Sequence, residues 1–302
     1  MIKIPIKLQP YKKGDRVIID VGENLYELAT ITSVRKGVWH IRFDDGNEGE
    51  ADDIRDIAGY AVSTPYKHAF TRKDLPKYLV KDHKQKGNAW AISDIHGCYA
   101  QLQQLLAKIK FTPNDILYIN GDLVDRGPAS KAVLDFAMTT TNVITLRGNH
   151  EDMLLQAFSS PSQRIQDWYE GNGGGTTLDS FGVTEAKDVP KKYIAFLQKL
   201  PIVQIYKNFI IGHAGVDLNS NKDPLRSTDT NYNYVLWNRE VQADGQGKRR
   251  IVVGHTPMSL TDIKKGATSN KIMIDGGCAY GGSLVAFCLD DNRIESVKGL
   301  KS

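Results

Sequence analysis

The sequence has few cysteines and no long hydrophobic run. Its three cysteines, Cys98, Cys278 and Cys288, form no C-x-x-C pair, so their spacing supports neither a disulfide framework nor a thiolate zinc site. No stretch approaches the ~18–20 unbroken apolar residues of a membrane-spanning helix. Residues 1–14 also lack the apolar core of a signal peptide. We therefore expect a cytoplasmic protein with no membrane partner.

The sequence also has little excess charge. Its 39 Lys and Arg stand against 35 Asp and Glu, a net charge of +4, which is too small to indicate a nucleic-acid partner. Hydrophobic residues make up 41% of the chain and charged residues 25%, which is typical of a globular protein and argues against a disordered one. A length of 302 residues is enough for two domains.

The pattern of hydrophobic residues changes twice along the chain. Residues 1–60 contain short alternating stretches such as Val38–Phe43, followed by turn residues at 44–46, which is typical of a small β-barrel. Residues 61–87 hold seven Lys or Arg and two Asp, and we interpret them as a basic linker. From residue 88 to residue 302 short apolar runs alternate with helical patterns, such as one over 99–110, which predicts a layered α/β domain.

In this third region, polar side chains that can bind metals follow the apolar runs. Glycine precedes the polar residue in four runs, and the pairs are Gly121–Asp122, Gly148–Asn149, Gly212–His213 and Gly254–His255. A fifth run ends in S-D-I-H-G at 93–97. Loops that leave the carboxyl ends of strands meet in one crevice of a layered α/β fold, and glycine lets the backbone turn sharply there. We expect two Asp, one Asn and three His to come together.

These six side chains offer oxygen and nitrogen ligands without sulfur. Such a set suits Mn²⁺, Fe²⁺ or Zn²⁺ better than Mg²⁺ alone. It is too large for one site with open positions and suits two cations ~3.5–4 Å apart, which share a carboxylate and a water and clamp a phosphate ester. A single Asp or His at a strand end is usually a cap or a packed residue, so the prediction depends on five such loops occurring in order.

The motifs also resemble those of a known family. S-D-I-H-G at 93–97, G-D-L-V-D-R-G at 121–127 and G-N-H-E at 148–151 resemble the three signature motifs of the phosphoprotein phosphatase family of metallophosphoesterases. H-A-G at 213–215 and G-H-T-P at 254–257 are similar to its later histidine motifs. Ser93 stands where the family more often has glycine, and the short N-G-G loop at 172–174 is similar to the bacterial and phage branch. The resemblance covers about residues 88–290.

This resemblance implies a fold and a set of metal ligands. The fold is the α/β layered, calcineurin-like metallophosphoesterase domain, a central β-sandwich flanked by helices, over residues 88–302. It implies two divalent metal ions, with Mn²⁺ as the first choice. Asp94 and His96 would bind one metal, Asp122 would bridge both, and the second would be completed by Asn149, His213 and His255.

The resemblance also implies the catalytic roles. His150 would protonate the leaving alkoxide as general acid, and Asp125 would orient His150. Arg126 would bind the phosphate oxygens through its planar fork, and Asn149 would assist. Arg239 is a candidate for a second phosphate-binding arginine by its order in the chain, and Tyr280 is a candidate for the pocket wall.

Three functions are open at this point. The first is a serine/threonine phosphoprotein phosphatase, in which a hydroxide bridging the two metals attacks a phosphomonoester of a protein or a small molecule in one step. The second is a hydrolase of dinucleoside polyphosphates or nucleotide-capped RNA ends. Asp125 favours the first, because symmetrical dinucleoside tetraphosphatases typically lack this aspartate, whereas Pro128 occurs in polyphosphate hydrolases as well. The third is a non-catalytic adaptor on an inactive phosphatase fold, against which the intact ligand set argues.

Residues 1–60 resemble Tudor-like SH3 barrels. The similar stretches are G-D-R-V at 14–17, A-T-I-T at 29–32 and I-R-F-D-D-G at 41–46. Such barrels can hold methylated Lys or Arg in an aromatic cage, but Asp45 stands where the pattern often has tyrosine. We expect Tyr26, Trp39 and Phe43 to pack in the core, and the barrel to target a protein partner or to pack against the rest of the chain.

Overall fold

The computed structural model of the protein describes eight segments of the chain. They are residues 16–22, 25–35, 38–43, 48–51, 57–62, 86–215, 232–239 and 250–301. The predicted linker residues 63–85 and the predicted turn at 44–46 lie outside the described residues, as do the side chains of Tyr26, Trp39 and Phe43.

The N-terminal strands form one antiparallel sheet. They are β1 (Arg16–Gly22), β2 (Leu25–Arg35), β3 (Val38–Phe43), β4 (Glu48–Ala51) and β5 (Ile57–Val62), in the order β4-β3-β2-β1-β5. Ile31 of β2 lies opposite Ile41 of β3, and both side chains are buried. The register of β2 shifts between Ile31 and Ser33, an irregularity that bends strands. The strands expected of the barrel are present, and its closure into an SH3- or Tudor-like barrel stays a prediction.

From residue 86 onward, strands and helices alternate as the sequence predicts. The first sheet of this region has the order β14-β13-β6-β7-β8. Its strands are β6 (Ala89–Ile92), β7 (Ile116–Ile119), β8 (Val143–Thr145), β13 (Ser283–Cys288) and β14 (Ile294–Lys298). Strands β6, β7 and β8 run parallel, whereas β13 is antiparallel to both of its neighbours.

A second sheet has the order β12-β11-β10-β9. Its strands are β9 (Val203–Tyr206), β10 (Phe209–Gly212), β11 (Arg250–Val253) and β12 (Lys271–Met273). Strands β10, β11 and β12 run parallel, and β9 is an antiparallel edge strand.

Eight α-helices are described. They are α1 (Tyr99–Lys108), α2 (Ser130–Thr139), α3 (Asn149–Ser159), α4 (Gln163–Gly171), α5 (Gly174–Phe181), α6 (Lys191–Gln198), α7 (Tyr232–Trp237) and α8 (Leu260–Gly266). Short 3-10 turns occur at Ala186–Asp188 and Cys278–Tyr280. Among the described helices, none combines the length and the apolar character that crossing a membrane requires.

The alternation of side chains along the strands explains how the layers pack. In β6, Ala89 and Ala91 point into a core that both sheets share, together with Ile211 and Val252 of the second sheet. Trp90 and Ile92 of the same strand point to the other face and pack with the helices. Because both faces of the strand are covered, β6 is apolar throughout. The result is a layered α/β arrangement in which two mixed sheets face each other and helices cover them.

Candidate metal centre and active site

The five predicted loops lie at one edge of the two sheets. Asp94 follows β6, Asp122 follows β7, Asn149 begins α3 after β8, His213 follows β10 and His255 follows β11. Backbone hydrogen bonds join the loops: His96 N donates to Asp122 O at 2.9 Å, and Gly254 N donates to His213 O at 2.7 Å. The carboxyl ends of parallel strands meet at the same edge of a sheet, which is why these loops converge.

One group of ligand atoms converges around His213 Nε2. This atom lies 2.8 Å from Asn149 Oδ1, 3.2 Å from His255 Nδ1 and 3.4 Å from Asp122 Oδ1. His213 Nδ1 donates to the carbonyl of Asn120 at 2.8 Å, so the lone pair on Nε2 faces these atoms. Ligands ~2.1 Å from a common cation have this mutual spacing. The donor set therefore fits a divalent metal.

A second group shares Asp122 with the first. His96 Nε2 lies 3.4 Å from Asp122 Oδ2, and His96 Nδ1 donates to Val124 O at 2.8 Å, which leaves the lone pair on Nε2 to act as a ligand. Burial lowers the pKa of His96 well below its ordinary value, so the ring stays neutral and can bind a metal. Two groups of three side chains are close enough together to hold a metal ion, and we call them the metal-competent groups. One is His96, Asp122 and His150, and the other is Asp122, His213 and His255. An aspartate common to both groups has the position that a bridging carboxylate needs.

Asp94 lies in neither of these two groups. Its carboxylate accepts a hydrogen bond from Ser93 Oγ and, at 3.0 Å, from the backbone N–H of His255. Burial, followed by the Asp275 and Asp122 carboxylates, raises the pKa of Asp94 well above its ordinary value. Burial and Glu151 do the same to the pKa of Asp122. Buried carboxylates this close together need positive charge to ionise, and bound cations would supply it.

His150, which belongs to the metal-competent group of His96 and Asp122, forms a buried pair with Asp125. His150 Nδ1 lies 2.7 Å from Asp125 Oδ2, and His150 Nε2 lies 4.0 Å from Asp122 Oδ2. Burial raises the pKa of Asp125 to about 7, against the opposing effect of hydrogen bonds from Thr177 and Tyr169. Burial also lowers the pKa of His150 well below its ordinary value. The pair orients the ring so that Nε2 faces Asp122.

The two predicted arginines and Tyr280 lie at the same edge. The Arg126 guanidinium is 5.1 Å from the centroid of the Tyr280 ring, and Arg126 Nη1 is 2.6 Å from His96 Nε2. Arg239 Nη1 donates to the carbonyl of His255 at 3.1 Å. Tyr280 is 62% exposed. Two cationic side chains and an accessible ring therefore border the predicted ligands.

The sequence interpretation missed the role of Glu151. Its buried carboxylate accepts hydrogen bonds from four backbone N–H groups, which are those of Gly148 at 2.7 Å, Asp122 at 2.8 Å, Leu123 at 2.7 Å and Val124 at 3.3 Å. This one side chain joins the loop that carries Asp122 to the start of α3. Glu151 is the third residue of α3, where a glutamate can bond the backbone of the N-cap as in a capping box, but the N-cap is Gly148, so only this half of the signal was available in the sequence.

Asp275 was missed as well. It follows β12 at the same edge, is buried, and accepts a hydrogen bond from the N–H of Gly277 at 2.8 Å. Burial raises its pKa. Its signal was the pattern used for the other loops, a polar residue beside glycine after an apolar run.

Backbone strain is concentrated at this edge. Nine residues other than glycine have positive φ in the described part of the chain, and six of them are predicted site residues: Asp94, His96, Asp122, Asp125, Arg126 and His255. Each such conformation costs on the order of 1–3 kcal/mol and persists only where the surrounding structure enforces it. The concentration of strain points to function at these positions.

Hydrolysis of phosphate esters on two cations is the chemistry that such a donor set supports, and the protein is a dimetal phosphoesterase. The chain belongs to the calcineurin-like phosphoesterase family, whose model matches residues 88–296.

Relatives within this family have two kinds of name. Serine/threonine-protein phosphatase 2 of Salmonella typhimurium is 30% identical over 210 residues, which cover 66% of this chain and 91% of the relative. The asymmetrical bis(5'-nucleosyl)-tetraphosphatase PrpE of Bacillus velezensis is 26% identical over 232 residues, 68% of this chain and 91% of the relative. A symmetrical bis(5'-nucleosyl)-tetraphosphatase of Erwinia tasmaniensis is 37% identical over 134 residues, which cover 43% of this chain and 44% of the relative.

A solved structure has the same fold. It is described as a candidate diadenosine tetraphosphatase, is 22% identical, and aligns with a TM-score of 0.54 over 74% of this chain and 98% of its own. The comparisons thus define the family and the fold, and the relatives' names include both phosphoprotein and dinucleoside polyphosphate hydrolases.

Proposed function

We propose that the protein is a phosphomonoester hydrolase that acts on phosphorylated serine and threonine side chains of proteins. The observation that carries this proposal is the buried pair of His150 and Asp125, with 2.7 Å between Nδ1 and Oδ2. An alkoxide is a poor leaving group, so its departure needs a proton from a positioned acid. A nucleotide that leaves through a phosphate oxygen needs this proton much less.

In this proposal the predicted ligands would hold two divalent cations, Mn²⁺ by preference and Fe²⁺ or Zn²⁺ otherwise. Asp94, His96 and Asp122 would hold one, and Asp122, Asn149, His213 and His255 would hold the other. Bound cations neutralise phosphate charge and activate the attacking water. Asp94 joins the first site through the carboxylate that now accepts from Ser93 and His255.

The chain's own residues bind the phosphate and move the proton. Arg126 and Arg239 bind the non-bridging phosphate oxygens with the help of Asn149, and charge-assisted bonds of this kind are strong. Asp125 accepts the hydrogen bond from His150 Nδ1, so the acid form of His150 is the imidazolium, which takes up a second proton from solvent on Nε2. Nε2 donates that proton to the leaving oxygen as the bond between phosphorus and that oxygen breaks. Water supplies the new oxygen on phosphorus.

A second candidate is the hydrolysis of dinucleoside polyphosphates or nucleotide-capped RNA ends. The observation that favours it is Tyr280, whose exposed ring lies beside Arg126 and could stack on a nucleobase whose phosphate Arg126 binds. Relatives named bis(5'-nucleosyl)-tetraphosphatases also support it.

The test is Mn²⁺-dependent hydrolysis of two substrates in parallel, a mixture of phosphoserine and phosphothreonine peptides and diadenosine tetraphosphate. We expect kcat/KM at least about tenfold higher on the peptides, a difference of ~1.4 kcal/mol in transition-state binding. The Asp125→Asn variant serves as the control, and it should lose more activity on the peptides than on the dinucleotide.

The reverse preference would overturn the first candidate in favour of the second. A protein that binds no metal after metal loading and hydrolyses neither substrate would contradict both candidates and favour the adaptor. If the first holds, we propose that residues 1–60 bring a cytoplasmic protein partner to the enzyme.

A further inference from the structure

The turn between α4 and α5 packs against the turn that carries Asp125. Gly173 has a φ of 101°, and its carbonyl accepts a hydrogen bond from the backbone N–H of Arg126 at 3.0 Å. A side chain at Gly173 would press on Arg126, and one at Gly174 would press on the ring of Tyr169. Glycine is therefore required for this close approach. The glycine-rich run at 171–175 has a structural purpose that its composition alone does not reveal.

Two hydroxyl groups from these helices bind the carboxylate of Asp125. Tyr169 of α4 donates to Asp125 Oδ1 at 2.9 Å, and Thr177 of α5 donates to the same oxygen at 2.7 Å. Thr177 Oγ1 also accepts from the backbone N–H of Asp125 at 2.8 Å. Tyr169 and Thr177 are fully buried. One carboxylate oxygen is thus fixed by the helices, and the other faces His150 Nδ1.

We infer that Tyr169 and Thr177 are positioning residues for the general acid, because they hold Asp125 in the orientation that directs His150 Nε2 to the leaving group. This inference rests on the proposed function. A carboxylate with a single partner can rotate about its side-chain bond, whereas two further donors fix its plane. The resulting geometry matters because a misplaced proton donor loses much of its effect.

The pKa shifts of Asp125 and Tyr169 are consistent with these hydrogen bonds. Hydrogen bonds from Thr177 and Tyr169 favour the ionised form of Asp125 and so oppose the effect of burial on its pKa. Burial and the neighbouring Asp125 hold the pKa of Tyr169 well above its ordinary value, so this hydroxyl remains a donor.

The experiment measures how the rate depends on the leaving group. Tyr169→Phe and Thr177→Val each remove one donor and keep the size of the side chain. The Mn²⁺-loaded variants are assayed on p-nitrophenyl phosphate, phenyl phosphate and a phosphoserine peptide. p-Nitrophenolate leaves without a proton, whereas phenolate and above all the serine alkoxide need one.

For each variant we expect kcat on the phosphoserine peptide to fall about tenfold, a part of the ~10²–10⁴-fold that a general acid contributes. On p-nitrophenyl phosphate, kcat should stay within about twofold of the parent, and phenyl phosphate should fall in between. The Thr177→Ser variant keeps the hydroxyl and should recover most of the peptide activity. This rescue also covers the case in which Thr177→Val does not fold.

Tyr193→Phe is the matched control. Tyr193 of α6 donates to Asp135 Oδ1 of α2 at 2.7 Å, so the variant loses a tyrosine–aspartate hydrogen bond of the same kind away from the site. It should change none of the three rates. If Tyr169→Phe and Thr177→Val lower all three rates in parallel, or behave like Tyr193→Phe, the inference is wrong.

The Asp125→Asn variant separates this inference from the proposed function. If Asp125→Asn slows the peptide selectively and the two hydroxyl variants do not, the general acid stands and the positioning role fails. If Asp125→Asn leaves the leaving-group dependence unchanged, the proposed function itself fails.

Discussion

The first sheet of the α/β region, β14-β13-β6-β7-β8, and the second, β12-β11-β10-β9, contribute to the candidate site in different ways. The edge of the first sheet provides Asp94, Asp122 and the start of α3, and these are joined to one another by the four backbone hydrogen bonds of Glu151. The edge of the second sheet provides the predicted ligands His213 and His255, and contacts to the first edge orient both. The position of the ligands on the second edge therefore depends on contacts with the first edge, whereas the ligands of the first edge are held by bonds within that edge.

The contacts that orient His213 and His255 both come from the first edge. His213 Nδ1 donates to the carbonyl of Asn120, and the backbone N–H of His255 donates to the carboxylate of Asp94. Asn120 and Asp94 both belong to the first edge. Strain has the same distribution, since five of the six site residues with positive φ lie on the first edge and only His255 lies on the second.

The largest effect is expected at Asp122, which both ligand groups share. Asp122→Asn removes the charge that a bridging carboxylate supplies, so metal binding and activity should be lost together. The loss of activity should exceed about 100-fold, the upper end of what a change in an outer partner of a metal ligand costs. Turnover and metal content of the purified variant check this, and near-normal turnover in a folded variant would refute the two-metal assignment.

A smaller effect on stability should separate the two edges. Glu151→Gln leaves backbone N–H groups of the first edge facing an amide, and we expect the free energy of unfolding to fall by about 3 kcal/mol. His213→Gln, on the second edge, should cost about 1 kcal/mol. Urea denaturation in the presence of a chelator measures both, with the exposed Glu185→Gln as control. Equal losses at Glu151 and His213 would contradict the asymmetry between the edges.

The smallest effect is expected in the pH dependence of stability. Burial raises the pKa of Asp94, Asp122 and Asp125, that of Asp125 to about 7. The folded state therefore holds these protons more tightly than the unfolded chain, and its stability falls as pH rises through the folded pKa values. Burial lowers the pKa values of His96, His150 and His255, so these histidines change the stability only below about pH 6.5, where the unfolded chain binds histidine protons.

Above that pH the histidines no longer act and the carboxylates still do, so the metal-free protein should have a lower Tm at about pH 8.5 than at about pH 6.5. The Asp125→Asn variant should show a smaller decrease. Added Mn²⁺ should reduce the decrease, because a metal displaces the protons of Asp94 and Asp122. Thermal unfolding in chelator and in metal buffer makes the comparison, and a Tm that rises with pH in chelator would count against the buried carboxylates as its cause.

Much of the site could be predicted because its loops follow a repeated local pattern. A short apolar run, a glycine and a polar residue recur at Gly121–Asp122 and Gly254–His255, and parallel strands bring such loops to one edge. Helix α1, predicted over 99–110, is found at Tyr99–Lys108 because Leu102 and Leu105 pack into the core. Hydrogen bonds between residues far apart in the sequence leave no such local pattern, so they could not be predicted. Tyr169 and Thr177 lie 44 and 52 residues from Asp125, and nothing local connects them to it.

The sequence by itself determined the class of chemistry, since the identity and order of Asp94, Asp122, Asn149, His213 and His255 specify an oxygen and nitrogen donor set on strand-end loops. Only the tertiary structure decided how those groups are held. Glu151 binds the backbone of one loop, Asn120 orients His213, and two helices fix Asp125. The physical reason is that a metal ligand is a property of a side chain, whereas its orientation and protonation depend on burial and on partners that only folding brings within reach.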